Sequence, residues 1–181
     1  MRITLLAVLA VALSGCGKPL PVLGDVPHFQ LIDQSGRAFD SSKLSGHVWV
    51  ADWVFTNCEG PCPRMTSHMR QIQTKTDGSI QLVSFTVDPK RDTPPVLEAY
   101  AKKFDYDDKR WSFLTGQVST LNNLDANAFK LGYVGGDDFE HSTRFVLVDQ
   151  KGRIRGYYGL SDGDPVAKIA KDADRLEKES S

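Results

Sequence analysis

Two cysteines, Cys58 and Cys62, stand four positions apart in the segment FTNCEGPCPRM, residues 55–65. An apolar run at residues 47–55 precedes them, and a segment with helical character follows. Thiols at a junction of strand, loop and helix lie near backbone N–H groups and the positive end of the helix dipole, which both favour the thiolate. Such a pair can form a disulfide, bind a soft metal ion, or do both in turn.

Two prolines indicate where the helix after the cysteines begins. Pro61 and Pro63 fit only the first turn of a helix, where their missing N–H groups are not needed. The helix therefore begins near Pro61, which leaves Cys58 in the loop and places Cys62 in the first turn. We expect Cys58 to be the more accessible and more reactive thiol.

The third cysteine, Cys16, follows a segment typical of a secretory signal. A basic start is followed by the apolar run 3–13, which is too short to span a membrane, and then by LSGC. LSGC resembles the bacterial lipoprotein box, whose cysteine is lipidated; the alternative, an ordinary signal with a stray cysteine, leaves an exposed odd thiol. We predict a signal peptide at 1–15, a lipid anchor at Cys16, and a position on the outer face of the bacterial cytoplasmic membrane.

Composition limits the function classes. The chain has 181 residues and a formal net charge of −1, without a basic patch or charge run that would indicate nucleic-acid binding. After the signal, its length suits one domain with a real core. In an oxidising compartment a disulfide is expected, but a Cys-x-x-x-Cys pair closes too small a loop to stabilise the fold well. A chemical role is the better interpretation of the pair.

Hydrophobic patterning predicts the elements that position the pair. An extended tether at 16–25 precedes a domain at 26–181, and buried strands are expected where apolar residues occupy both faces. The order of strands and helices predicts an α/β, thioredoxin-like fold with an N-terminal β-hairpin extension. The predicted strands are 28–31, 36–39, 47–55, 80–87, 111–114, 144–149 and 154–158, and the predicted helices are 61–75, 94–104, 118–131 and 165–179.

Four motifs in order, VFTNCEGPCPRMTSHM, SFTVDPKRDTPPVLEAYAKKF, WSFLTG and DFEHSTRFVLVDQKGRIRGYY, resemble the SCO/SenC family of copper-handling assembly factors for cytochrome c oxidase. The resemblance covers roughly the whole mature domain. It implies that Cys58 and Cys62 are the copper-binding thiols and His141 the copper-binding imidazole. The sequence departs from the commonest family motif at two places: Asn57, where many members carry His, and residues 59–61. Neither departure removes a ligand.

The chemistry of these residues agrees with the resemblance. Two thiolates and one imidazole suit copper, as Cu(I), Cu(II) or both, although zinc also tolerates such a set. The first hypothesis is a copper-binding assembly factor with a redox-active Cys58–Cys62 pair. Its partner would be cytochrome c oxidase subunit II or another copper chaperone, and the protein would be a monomer.

The alternative hypothesis is an extracytoplasmic thiol–disulfide oxidoreductase that reduces client cysteines. The redox motif is Cys-x-x-Cys, and one extra residue gives both sulfurs more room for a shared metal. Thioredoxin-like redox enzymes also carry a proline before the strand that faces the cysteines, where residues 141–144 read HSTR. Metal binding is therefore favoured, with a structural disulfide in third place.

Two acidic sites near the cysteines have competing interpretations. Asp52 interrupts a buried strand six residues before Cys58, where it is either a buried proton acceptor with a raised pKa or a strand-edge residue that reaches water. Asp88 and Asp92 lie in the turn VDPKRDTP, where turn hydrogen bonds and helix capping account for both, and Asp88 could also support the site indirectly.

The remaining histidines and methionines are predicted to have structural roles. His68 lies about 240° around the helix from Cys62, so it points away from the pair. His28 and His47 lie at strand starts. Met65 and Met69 share the helix face of Cys62, and at this spacing a core role is favoured over copper ligation.

Overall fold

The computed structural model describes residues 18–131 and 143–179. In these ranges one mixed sheet of eight strands is flanked by helices on both faces. The strands are β1 (Gly24–Asp25), β2 (Gln30–Asp33), β3 (Ala38–Asp40), β4 (Trp49–Val54), β5 (Gln81–Thr86), β6 (Trp111–Thr115), β7 (Arg144–Val148) and β8 (Arg153–Gly159). The helices are a 3₁₀ turn (Ser41–Leu44), α1 (Cys62–Lys75), α2 (Pro94–Lys102), α3 (Val118–Asn122), a π-helix (Asn123–Ala128) and α4 (Pro165–Glu179).

The sheet has the order β1-β8-β7-β4-β5-β6-β2-β3. Strands β4, β5 and β6 are parallel, and all other neighbours are antiparallel. Every residue of β4 is buried because helices cover both faces of a central strand. The predicted α/β, thioredoxin-like fold is confirmed, and the predicted N-terminal hairpin is β2–β3, which extends the sheet beyond β6.

Two apolar clusters fill the two sides of the sheet. The first contains side chains of α1, α2 and α4, including Cys62 and Met65. The second contains the hairpin, α3 and aromatic residues such as Trp53 and Phe129, whose ring centroids are 4.6 Å apart. Cys62 therefore belongs to the core of the α1 side, whereas the loop before it opens at the end of the sheet.

The helix predicted at 118–131 is interrupted. After five α-helical residues the chain widens into the π-helix Asn123–Ala128, closed by a hydrogen bond from the Phe129 N–H to the Leu124 carbonyl, five residues back. A π-turn adds one residue to a turn. The sequence pattern predicts one helix over 118–131 and gives no signal for the change of period.

The described part of the predicted tether, residues 18–25, lies against the domain. Leu20 packs on the first apolar cluster, and β1 pairs with β8. In the part of the chain that the structure describes, none of the helices has the length and apolar character needed to cross a membrane. The predicted signal peptide and Cys16 lie outside the described residues.

Candidate metal centre

The cysteine loop lies between the end of β4 and the start of α1. Cys62 is the first residue of α1, Pro61 is its N-cap, and the Met65 N–H donates to the Pro61 carbonyl at 2.9 Å. Cys58 lies in the loop. The prolines thus place the two thiols as the sequence predicts, one before the helix and one in its first turn.

The two thiols are neighbours with different environments, and no disulfide joins them. Cys62 has no solvent exposure, whereas Cys58 is half-buried. Burial, together with a hydrogen bond to the Cys58 thiol, raises the pKa of Cys62 well above its ordinary value, and the Phe55 backbone N–H offsets this only in part. Cys62 is therefore a protonated thiol in the reduced, metal-free protein, and metal binding must displace its proton.

A buried carboxylate, Asp52, lies in β4 behind the pair. Asp52 has no solvent exposure; its Oδ1 accepts a hydrogen bond from the Ser84 hydroxyl at 2.6 Å, and Trp111 Nε1 donates to that hydroxyl at 3.0 Å. Asp52 Oδ2 has no hydrogen-bond partner among the described residues. Desolvation raises the pKa of Asp52 to about 7. The alternative that Asp52 reaches water at a strand edge is wrong, because β4 lies between β7 and β5.

Asp92 fastens the cysteine loop to the neighbouring turn. Its carboxylate accepts hydrogen bonds from the Thr56 N–H (3.2 Å), the Thr56 hydroxyl (2.6 Å) and the Thr86 hydroxyl (2.6 Å). Asp92 is 1% exposed, and desolvation raises its pKa. Helix capping, one of the two predicted explanations, is wrong for Asp92: the N-cap of α2 is Thr93, and the Asp92 carboxylate bonds to the cysteine loop instead.

Asp88 has a local role in the same turn. Its backbone carbonyl accepts from the N–H groups of Arg91 and Asp92, and its carboxylate lies 3.5 Å from Arg91 Nε. These bonds agree with the predicted turn. The Thr86 hydroxyl accepts a further hydrogen bond in this turn, from the Asp88 N–H at 2.9 Å.

Behind Cys62, two hydroxyls form a layer that sequence reasoning missed. The Thr66 hydroxyl donates to the Cys62 carbonyl at 2.9 Å and lies 2.8 Å from the Tyr100 hydroxyl. Both residues are buried, and desolvation raises the pKa of Tyr100. Thr66 at four residues after Cys62 is a signal for the first bond, but nothing in the sequence pairs Thr66 with Tyr100 on another helix.

The side chains predicted to be structural have packing or hydrogen-bond partners of their own. Met65 and Met69 are completely buried in the core. His68 packs against Phe145 with ring centroids 6.0 Å apart, and burial, with the nearby Arg64 charge, lowers its pKa. His28 bonds to Asp40 in the N-terminal hairpin.

The third predicted ligand, His141, lies outside the described residues. The strand that follows it begins at Arg144, and β7 runs antiparallel to β4, with Ala51 opposite Val146. The start of β7 is therefore at the end of the sheet where β4 leads into the cysteine loop. Within the described ranges, no three His, Cys, Asp or Glu side chains are arranged to hold a metal.

Comparisons of the sequence and of the structure with known proteins find the same protein family. The SCO1/SenC family model matches residues 24–177. A SCO1/SenC family lipoprotein from Bacillus anthracis str. Ames is 36% identical, with a TM-score of 0.77 over 84% of this chain and 95% of that chain. BsSco, a member of the Sco family of cytochrome c oxidase assembly proteins with a disulfide switch, is 31% identical, with a TM-score of 0.79 over 88% and 97%. Yeast Sco1 with copper bound is 25% identical, with a TM-score of 0.67 over 83% and 88%.

Proposed function

This chain belongs to the SCO1/SenC family, and we propose that it binds copper and delivers or prepares it for the binuclear copper site of cytochrome c oxidase. Cys58 and Cys62 supply two thiolates, and His141 supplies the imidazole. The proposal is supported by BsSco, a cytochrome c oxidase assembly protein, and by yeast Sco1, whose structure contains copper.

The observation that carries the proposal is that an accessible thiol, Cys58, lies next to a buried one, Cys62, at the N-terminal end of α1. Cys58 and Cys62 are within hydrogen-bond contact and free of a disulfide. Two adjacent sulfur donors fit a soft ion such as Cu(I). The half-exposed Cys58 leaves one side of the pair open, which a protein that hands its ion to a partner requires.

A second candidate, the thiol–disulfide oxidoreductase, is favoured by one observation. The buried Asp52 carboxyl has a pKa raised to about 7 and interacts electrostatically with Cys62, so it can hold a proton released near neutral pH. In this reaction the two thiols reduce a client disulfide: the client gains two electrons and two protons, and the Cys58–Cys62 disulfide forms.

The proposal includes a location. Cys16 anchors the protein by a lipid to the outer face of the cytoplasmic membrane, where it works as a monomer and meets subunit II of the oxidase or another copper chaperone. The similarity to a SCO1/SenC family lipoprotein supports the anchor. In this location the thiols face an oxidising compartment, so an electron donor must keep them reduced between cycles.

Addition of Cu(II) to the reduced protein, followed by absorption spectroscopy, tests the proposal. We expect a thiolate-to-copper charge-transfer band that disappears in Cys58→Ser, and a copper affinity that falls strongly in His141→Ala when measured against a competing chelator. His68→Gln is the matched control, since this histidine packs against Phe145, and its affinity should equal that of the unchanged protein. A His141→Ala affinity equal to that of the control would remove His141 from the site.

Oxidation separates the two candidates. A Cys58–Cys62 disulfide leaves one imidazole, which is too few donors for a tight site, so the oxidised protein should not bind copper. Stoichiometric copper retained after full oxidation, with thiols counted, would contradict shared ligation. Catalytic reduction of a model disulfide substrate with no detectable copper binding would support the oxidoreductase instead.

A further inference from the structure

Residues 18–23, here called the N-terminal strap, are held by a buried arginine. Arg155 is 5% exposed, and its guanidinium donates to the carbonyls of Leu20 (2.7 Å) and Pro21 (3.2 Å). The same group pairs with Asp149 at 2.8 Å and with Glu179 at 3.1 Å. The strap is therefore connected to β8 and to the end of α4 by one charged network.

Three further contacts hold the strap along its length. Arg175 of α4 donates to the Lys18 carbonyl at 2.6 Å, and the Leu23 N–H donates to the Ile154 carbonyl at 2.8 Å. Leu20 packs on the apolar cluster beneath α4. These contacts attach the strap to the domain at both ends and in the middle.

The strap also presents apolar side chains to solvent. Val22 is 52% and Leu23 40% exposed, and they are two of the five exposed large hydrophobic residues in the described part of the chain. Pro19 and Pro21 are exposed beside them. Together these four residues form a short exposed apolar stretch, which suits contact with an apolar phase.

The position of the proposed lipid anchor identifies that phase. Only Gly17 separates Cys16 from Lys18, and two residues span at most about 7 Å. A lipid on Cys16 would thus enter the bilayer within about 7 Å of a strap that is bonded to the domain. From this we propose that the strap is a membrane-contact surface, with Val22 and Leu23 in the interfacial region, and that it holds the domain in one orientation on the bilayer. The inference rests on the proposed anchor at Cys16.

This orientation directs the cysteine pair away from the lipid. The strap contacts the start of β8 at Ile154 and Arg155, whereas the other end of β8, Gly159, pairs with Arg144 beside the cysteine loop. The four residue steps from Arg155 to Gly159 place these ends about 13 Å apart along the strand. A partner therefore reaches Cys58 from the aqueous side.

Tryptophan fluorescence tests the orientation with the full, lipidated chain in phosphatidylethanolamine and phosphatidylglycerol vesicles that contain brominated lipid. The native tryptophans are at most 2% exposed, so an added exposed tryptophan reports its own surroundings. We expect Val22→Trp to be quenched severalfold more than Asn57→Trp, which is exposed in the cysteine loop. Tryptophan favours the membrane interface, so the substitution suits the site.

A strap variant tests the fixed orientation itself. Arg155→Gln is the direct change but disturbs a buried network, so Arg175→Gln, which removes the donor to Lys18, is the main variant. In the Val22→Trp and Asn57→Trp backgrounds, Arg175→Gln should reduce the ratio of the two quenching values. Lys171→Gln, an exposed charge on the same helix, is the matched control and should leave the ratio unchanged.

Sedimentation with vesicles separates the two parts of the inference. If the chain stays in the supernatant, both the anchor and the orientation are wrong. If it sediments and the two tryptophans are quenched equally, the anchor stands and the orientation is overturned. Blue-shifted but unquenched Val22→Trp emission would show that a protein surface, such as a second copy, covers the strap, and would overturn the lipid assignment.

Discussion

Two aspartates with almost no solvent contact behave in opposite ways. Asp149, which follows β7, accepts hydrogen bonds from the N–H groups of Lys151 and Arg153 and from the guanidinium groups of Arg153 and Arg155. Burial alone would raise its pKa, but these hydrogen bonds outweigh it and lower the pKa. Asp52, near the cysteines, has one hydroxyl donor, and burial raises its pKa to about 7.

The contrast shows that burial alone does not determine the charge of a group. At the strap end of the sheet, donors surround the carboxylate, so it stays charged and holds β7, β8 and the strap together. At the cysteine end, Asp52 has a single hydrogen-bond donor, so its carboxyl group can change its protonation state near neutral pH. Deficits of this kind are found at functional sites more often than elsewhere.

The largest expected effect on stability comes from removing the Asp149 carboxylate, which has donors on all sides. Asp149→Ala leaves the Arg155 guanidinium buried without its main partner, and such changes cost about 3 to 5 kcal/mol of unfolding free energy. Denaturant unfolding measures this loss. Lys102→Ala, which removes an exposed pair with Glu98, is the control and should cost less than about 1 kcal/mol. Equal losses would mean that the Asp149 network contributes no more than a surface pair.

The next effect is on the pH dependence of stability, to which Asp52 and Asp149 contribute in different pH ranges. The folded-state pKa of Asp52 is raised above its unfolded value of 3.8, so its contribution to stability is fully present below about pH 4 and is lost as pH rises towards 7. Asp52→Asn should remove this loss, on the order of 2 to 4 kcal/mol, and flatten the stability profile between pH 4 and 7.

Asp149 supplies the opposite sign in the same titration. Its folded-state pKa is lowered, so its contribution is present above the unfolded value and is lost as pH falls through the folded pKa. Asp149→Asn should therefore flatten the acid limb below pH 4 and leave the region from pH 4 to 7 unchanged. An Asp52→Asn profile parallel to that of the unchanged protein would show that Asp52 is charged in the folded state.

A smaller effect is expected at the fastening of the cysteine loop. Asp92→Asn replaces an acceptor of three hydrogen bonds by a group that also donates, and the loss of these bonds should cost about 1 to 2 kcal/mol. Because Thr56 then loses its hydrogen bonds to residue 92, the cysteine loop should become more mobile and Cys58 should be alkylated faster. Asp88→Asn, in the same turn but paired with the exposed Arg91, is the control. Matching alkylation rates in both variants would contradict the fastening.

The smallest effect concerns rates alone. Cys62 is buried and its pKa is raised, whereas Cys58 is half-exposed, so Cys58 should react first with a sub-stoichiometric alkylating agent. Peptide mapping of the reduced, copper-free protein measures the order. In denaturant both thiols should react alike. Predominant labelling of Cys62 in the folded protein would reverse the assignment of the two thiols.

Much of the fold follows from local sequence patterns. Pro61 and Pro63 mark the start of α1, so Cys58 and Cys62 are assigned correctly to loop and helix. The bounds predicted for the closing helix, 165–179, agree with α4. These features depend on residues within one or two turns of each other, and backbone propensity acts at that range.

The polar contacts around the site could not be derived in the same way. Asp92 is 36 residues from Thr56, and Arg155 is more than 130 residues from the strap carbonyls that it binds. Side-chain donors of this kind are chosen by proximity in the folded chain, which a sequence pattern does not contain. The sequence therefore predicted a turn and a tether, where the structure shows a fastened loop and a held strap.

By itself, the sequence predicted which groups could do the chemistry: a Cys-x-x-x-Cys pair after a buried strand, a late histidine at position 141, and an acid six residues before Cys58. Only the tertiary structure decided the state of Asp52 and Cys62. Packing of helices on both sides of β4 removes water from Asp52 and Cys62 and raises the pKa of each. The desolvation of a side chain depends on everything packed around it, and most of those neighbours are distant in the chain.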